Sequence, residues 1–135
     1  MKKLLSVILA VFLLAACGNG EASLTTEEVI QKFKDDGLEV GEVSDLPNKE
    51  FGNTRKEGKR VLIPSLGEDA GGRLFLFDDE KDLEQAKSYY VELGNGGSMF
   101  YSHTHQSGDF LFQMNGDMSD EEFKKYADSL DSLTK

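Results

Sequence analysis

Two short runs, Leu74-Phe75-Leu76-Phe77 and Phe110-Leu111-Phe112, place large apolar side chains at consecutive positions. In a β-strand neighbouring side chains point to opposite faces, so each run puts apolar surface on both sides of any sheet it joins. Phe75 and Phe77 face one way and Leu74 and Leu76 the other; Phe110 and Phe112 oppose Leu111 in the same manner. A sheet built on these strands cannot leave one face to water. Either a helix crosses to the second face or that face meets a partner.

The rest of the chain supplies three helices to cover such a sheet. Leu24-Thr25-Thr26-Glu27-Glu28-Val29 is a helix start, with Thr25 as N-cap, Glu28 closing a capping box and Leu24 stapling to Val29. Val29, Ile30 and Phe33 form an apolar stripe at helical spacing, and Gly37 suits a left-handed cap. Residues 38–43 read as a short strand and residues 44–58, with Pro47, as a loop. Strands are expected over about 60–65 and 73–77, joined by a glycine-rich connection. A second helix opens on the acidic stretch 78–82 and turns Leu83, Ala86, Tyr90 and Leu93 inward; Gly94-Asn95-Gly96-Gly97 ends it. Strands over 98–106 and 109–115 turn at Ser107-Gly108. The third helix starts at Ser119 with Glu122 as a second capping box and Met118 stapling to Phe123. Its inward stripe is Phe123, Tyr126, Ala127, Leu130 and Leu133.

The fold class is therefore α+β: an antiparallel sheet of about five strands with three helices, ordered α-β-β-β-α-β-β-α. A strand-strand-helix pattern occurs twice in the last 75 residues, as a repeated unit or as repeated patterning alone. Residues 25–135 make a single domain, enough for one core and too few for two.

The first residues do not belong to that domain. Lys2 and Lys3 precede an apolar run from Leu4 to Leu14 broken only by Ser6, followed by the small residues Ala15 and Ala16. Basic, apolar, small is the order of a secretory signal peptide, and the run is shorter than the roughly 20 apolar residues of a membrane span. Residues 1–16 are read as that leader. The only cysteine, Cys17, comes next. A lone cysteine in an exported chain has no internal disulfide partner.

Leu14-Ala15-Ala16-Cys17 resembles the lipobox of bacterial lipoprotein precursors. The resemblance implies cleavage between Ala16 and Cys17 and a diacylglycerol thioether on Cys17. It also implies attachment to the extracytoplasmic face of the cell membrane. Two acyl chains suffice for stable anchoring, at about 0.8 kcal/mol per buried CH₂. Residues 17–24 would then be the lipidated cysteine and a flexible tether. The six residues after Cys17 reach at most about 20 Å.

Charge narrows the partners. Lys2 and Lys3 leave with the leader, so 13 of the 15 basic residues remain against 25 acidic ones, a net charge of −12. Such a body is repelled by anionic lipid and by nucleic acid, and no nucleic-acid partner is expected. The single basic cluster, Arg55-Lys56-Glu57-Gly58-Lys59-Arg60, reads as a solvated loop leading into a strand or as a docking point for an acidic partner.

Few residues point to chemistry. His103 and His105 share one face of a strand, so both imidazoles can approach one metal ion; alternatively they are surface histidines at a hairpin end. A zinc site needs a third protein ligand, which no motif selects. Gly67, Glu68, Asp69, Gly71, Gly72 and Arg73 form either a recognition loop or a plain connection. The loop lacks the lysine and following helix of a phosphate loop, and Glu68 and Asp69 repel phosphate. No G-x-S-x-G motif is present, the acidic pairs sit at helix starts, and Asn115-Gly116-Asp117 reads as a turn rather than a calcium loop. No catalytic residue is expected, and no cofactor beyond the lipid on Cys17.

The run from Lys59 to Arg73, then Phe77-Asp78 and the helix through Tyr89-Tyr90, resembles a group of small lipoproteins of Gram-positive bacteria and their mobile elements. Some of these bear the label "stress protein". The resemblance implies an envelope setting, with exclusion of competing phage or conjugative DNA as one form, and carries no activity over. The expected function is a non-catalytic interaction module that meets a membrane or envelope protein. Its contact is expected on the second sheet face or the 67–72 loop. A small solute- or metal-binding lipoprotein is the alternative, and a small hydrolase the third reading.

Overall fold

The computed structural model of the chain describes residues 24–135. The expected signal peptide, Cys17 and nearly all of the tether lie outside the described residues. Helix α1 (Thr26–Asp35), strands β1 (Val43–Asp45), β2 (Arg55–Leu62) and β3 (Gly71–Phe77), and helix α2 (Glu80–Asn95) come first. Strands β4 (Ser102–Ser107) and β5 (Phe110–Asn115) and helix α3 (Asp120–Thr134) complete the chain. The strands form one antiparallel sheet in the order β1-β2-β3-β5-β4. Class and element order are those expected. Among the described residues no helix is long and apolar enough to cross a membrane.

Helix α1 begins and ends as its sequence dictates. The Glu28 N–H donates to Thr25 Oγ1 and the Thr25 N–H donates to Glu28 Oε1, both at 3.2 Å, which completes the capping box. At the other end Gly37 takes a φ of +79°, so that the Gly37 N–H reaches Lys34 O and the Leu38 N–H reaches Phe33 O. Helix α3 is only half boxed. Ser119 Oγ accepts from the Glu122 N–H at 3.1 Å, while the Glu122 carboxylate is taken by Lys125 one turn on, at 2.7 Å.

The sheet is covered on both sides. Leu74, Leu76, Phe110 and Phe112 pack under α1 and α3 with Val29, Phe33, Tyr126 and Leu130. Phe75, Phe77 and Leu111 pack under α2 with Leu83, Ala86 and Tyr90. Helix α2 is thus the element that crosses, and burial of each such side chain contributes roughly 1.5–3 kcal/mol.

The two strand-strand-helix units are not structural copies. Their hairpins meet along the antiparallel β3–β5 seam, with Phe75 opposite Leu111 and Leu76 opposite Phe110. A two-fold axis through that seam would put both helices on one face, whereas α2 and α3 lie on opposite faces. The similarity is one of patterning.

Several strand boundaries differ from expectation. The first strand is residues 43–45 rather than 38–43; Leu38 and Val40 pack against the core from an irregular segment. β2 starts at Arg55, so the basic cluster read as a loop is strand. Long side chains explain the difference. The Arg55 guanidinium donates to the carbonyls of Leu46, Pro47 and Glu50, and Lys59 pairs with Asp45, so the charges lie along the strand with partners. Residues 98–100 form a 3₁₀ turn, and β4 begins only at Ser102.

Candidate interaction surface

His103 and His105 do share a face of β4, the side covered by α1 and α3, but each is engaged separately. His103 is 5% exposed, and its Nε2 lies 2.6 Å from Met118 O. Its ring stacks on Phe123 with centroids 4.7 Å apart. His105 is half-buried, with Nε2 2.8 Å from Asp131 Oδ1 on α3. The two rings therefore hydrogen-bond different segments. Among the described residues no group of three His, Cys, Asp or Glu side chains is placed to hold a metal ion.

Asp131 gathers a serine and a histidine in an order unlike that of a nucleophilic triad. Ser107 Oγ donates to Asp131 Oδ1 at 2.6 Å, and His105 Nε2 meets the same oxygen. In a triad the imidazole stands between hydroxyl and carboxylate and takes the hydroxyl proton. Here the carboxylate stands between, and both the imidazole and the hydroxyl bond its Oδ1. Burial raises the Asp131 pKa, but the hydrogen bonds from Ser107, His105 and Lys135 outweigh it and hold the carboxyl at about 2. The cluster ties the β4–β5 hairpin to α3.

The expected recognition residues divide between a turn and a strand. Gly67, Glu68 and Asp69 are exposed in a connection closed by its own main chain, with the Ile63 N–H on Ala70 O at 2.8 Å and the Ala70 N–H on Gly67 O at 3.3 Å. Gly71, Gly72 and Arg73 belong to β3. A Cβ on Gly71 would lie 2.0 Å from Val61 O, and one on Gly72 would lie 2.3 Å from Gln113 O. These two glycines answer to strand proximity.

Arg73 opens onto the part of the second sheet face that α2 leaves uncovered. Its Nε meets the Glu50 carboxylate, and its Nη1 donates to Gln113 Oε1 at 3.1 Å. Gln113 Nε2 donates in turn to Ser102 Oγ at 2.9 Å, so a polar chain crosses β3, β5 and β4. Beside it a groove of about 250 Å³ takes in Arg60, Gly72, Arg73, Asn115 and the 3₁₀ turn. Arg60 there donates to the carbonyl of Asp69 at 2.6 Å.

The rim of this region is the least expected feature. Met99 is 85% exposed and Phe100 52%, with Tyr101, Tyr89, Val91 and Leu93 also exposed. All six lie within residues 89–101. Leu93 had been expected to face inward on α2; the helix instead buries only Leu83, Ala86 and Tyr90. Residues 98–100, expected as the start of a strand, form a turn instead, and Gly96-Gly97 before Ser98 is the sequence signal that the chain breaks there.

Comparison with known protein families, curated proteins and solved structures finds no match.

Proposed function

We propose that this chain is a membrane-anchored extracytoplasmic lipoprotein whose domain is a non-catalytic interaction module for a membrane or envelope protein. The observation that carries the docking role is the exposed apolar group Met99, Phe100 and Tyr101 beside the Arg60–Arg73 groove. Contiguous exposed apolar surface rimmed by polar residues is the usual mark of a protein contact. The lipid anchor rests on the Leu14-Ala15-Ala16-Cys17 lipobox, and exclusion or envelope stress on the resemblance to small Gram-positive lipoproteins.

The geometry suits that arrangement. The tether would leave the domain at α1, where Thr26 Oγ1 donates to Glu57 Oε1 at 2.7 Å near the start of β2. Glu57 pairs with Leu76, while the groove lies by Gly72 and Arg73, three to four residues or about 13 Å further along β3. The apolar rim thus stands at the opposite end of the strands from Thr26, where α1 begins.

The test is crosslinking and recovery of the anchored full chain, with Cys17→Ser as the unanchored control and Met99→Ser/Phe100→Ser as the surface control. The expected result is one protein recovered by the anchored chain and lost from both variants. Equal recovery by the surface variant removes this patch as the contact, and recovery of nothing above background removes the docking role.

A further inference from the structure

The two edges of the sheet are finished differently. β1 is three residues long, carries the Asp45–Lys59 ion pair and is followed by Pro47, all devices that blunt an edge. β4 has none of them. Its six residues, Ser-His-Thr-His-Gln-Ser, include no Lys, Arg, Asp, Glu or Pro, and its register with β5 runs unbroken from Ser102↔Asn115 to Ser107↔Phe110.

The hairpin sets which main-chain groups point outward. A two-residue turn, Gly108-Asp109, makes Ser107 and Phe110 a hydrogen-bonded pair, and the alternation continues through His105 and His103. The Phe77 N–H on Asp109 O at 3.0 Å fits this phase, since Asp109 then faces β3. The N–H and C=O groups of Ser102, Thr104 and Gln106 therefore point away from β5. Among the described residues no backbone hydrogen bond reaches the outward groups of Thr104 or Gln106.

A groove of about 350 Å³ lies at the Ser102–Thr104 end of this edge, with Val91 and Gly94 of α2 on one wall and Phe123 of α3 on the other. Its lining is mixed, with Asn95, Ser102 and Thr104 polar and Val91, Tyr101 and Phe123 apolar or aromatic. Outside the groove the two flanking helices are acidic: α2 carries four acidic and two basic residues, α3 five and two.

We propose that β4 is the docking edge for an extended polypeptide segment of another protein, which adds to the sheet as a sixth strand. The inference rests on the docking reading above and adds a second contact to it, which meets the Met99–Phe100 groove at Tyr101 and Ser102. Main-chain pairing with Ser102, Thr104 and Gln106 supplies the common affinity, and alternate side chains of the incoming strand enter the groove. Charge selects the partner's composition. The acidic flanks of α2 and α3 favour Lys or Arg at the ends of the segment, and they repel a second copy of this chain, whose own edge is flanked by the same acidic helices.

The experiment is hydrogen exchange on the full chain in neutral detergent, with a seven-residue peptide of alternating threonine and valine bearing lysine at each end. The expected result is about tenfold slower exchange at the Thr104 and Gln106 amides at saturating peptide, with β5 unchanged. An analogue N-methylated at alternate amides, which lacks the donors of one strand edge, should give no protection. Thr104→Pro should abolish it while Thr104→Val retains it, with the fold of each checked by circular dichroism. The N-methyl analogue keeps the test valid if the proline variant does not fold. Protection equal for the methylated and unmethylated peptides, or none at Thr104 and Gln106, overturns strand addition. Because the peptide is supplied, that failure is separate from failure to recover a cellular partner through Met99 and Phe100. Glutamate in place of both lysines should weaken binding about tenfold; equal binding overturns the assignment of a basic segment.

Discussion

His103 Nε2 lies 2.6 Å from the carbonyl oxygen of Met118, the residue that leads into the N-cap of α3. A carbonyl only accepts, so this nitrogen carries the proton. Nδ1 then faces the Tyr101 hydroxyl at 3.4 Å and Asp120 at 3.5 Å. With Phe123 stacked on the ring, His103 joins the edge strand to the start of the last helix.

That bond predicts a structural phenotype. His103→Ala should lower stability by about 2–3 kcal/mol, since it strands a buried carbonyl and empties the space beneath Phe123. The denaturation midpoint in urea measures it. A change under 0.5 kcal/mol would show that the ring is dispensable to the fold.

Asp131 predicts a pH dependence of definite sign. Its carboxyl is held at about 2, below the ordinary 3.8. A group depressed in the folded state stabilises above its unfolded pKa and loses that contribution as pH falls through the folded value. The contribution is therefore full above about pH 4 and gone near pH 2. The side chain keeps 23% of its surface exposed, and solvent screening reduces the expected size to about 1–2 kcal/mol. Asp131→Asn should flatten the stability curve between those limits, and an unchanged slope would count against the Ser107–Asp131–His105 linkage.

The expected recognition loop separates under mutation. Gly71→Ala and Gly72→Ala drive a methyl into the Val61 and Gln113 carbonyls and should each cost about 3 kcal/mol or more. Glu68→Ala, on an exposed turn with no hydrogen bond to its side chain, should stay within about 0.5 kcal/mol of the parent. Thermal unfolding of the three variants decides whether the glycines serve the sheet.

Met99→Ser/Phe100→Ser should cost no more than about 1 kcal/mol, because Met99 is largely in water and Phe100 is half exposed. A large loss of stability would mean that the turn is packed in solution and would remove it as a free contact surface.

Much of the architecture was legible from spacing alone. The Thr25–Glu28 box, the Gly37 cap and the inward stripe of α3 are local, decided by residues three or four apart, and each is found as read. The consecutive apolar positions of β3 and β5 required cover on both faces, but no local signal chose between a helix and a partner. Polar strands were harder to read. The Arg55–Lys59 half of β2 is not legible as strand, because Arg55 finds its partners in the 46–50 segment and Lys59 pairs with Asp45, and only the fold brings these near.

By itself the sequence determined the helices, the α1 caps and the two-sided sheet, because all of these depend on near neighbours or on the period of side-chain direction. Tertiary structure decided that α2 takes the second face and that the two histidines serve separate partners. It also left Met99 and Phe100 in water while burying Phe75 and Phe77. Apolar residues have no intrinsic inside; whether one is buried depends on which distant surface arrives to cover it, and that is settled only when the whole chain packs.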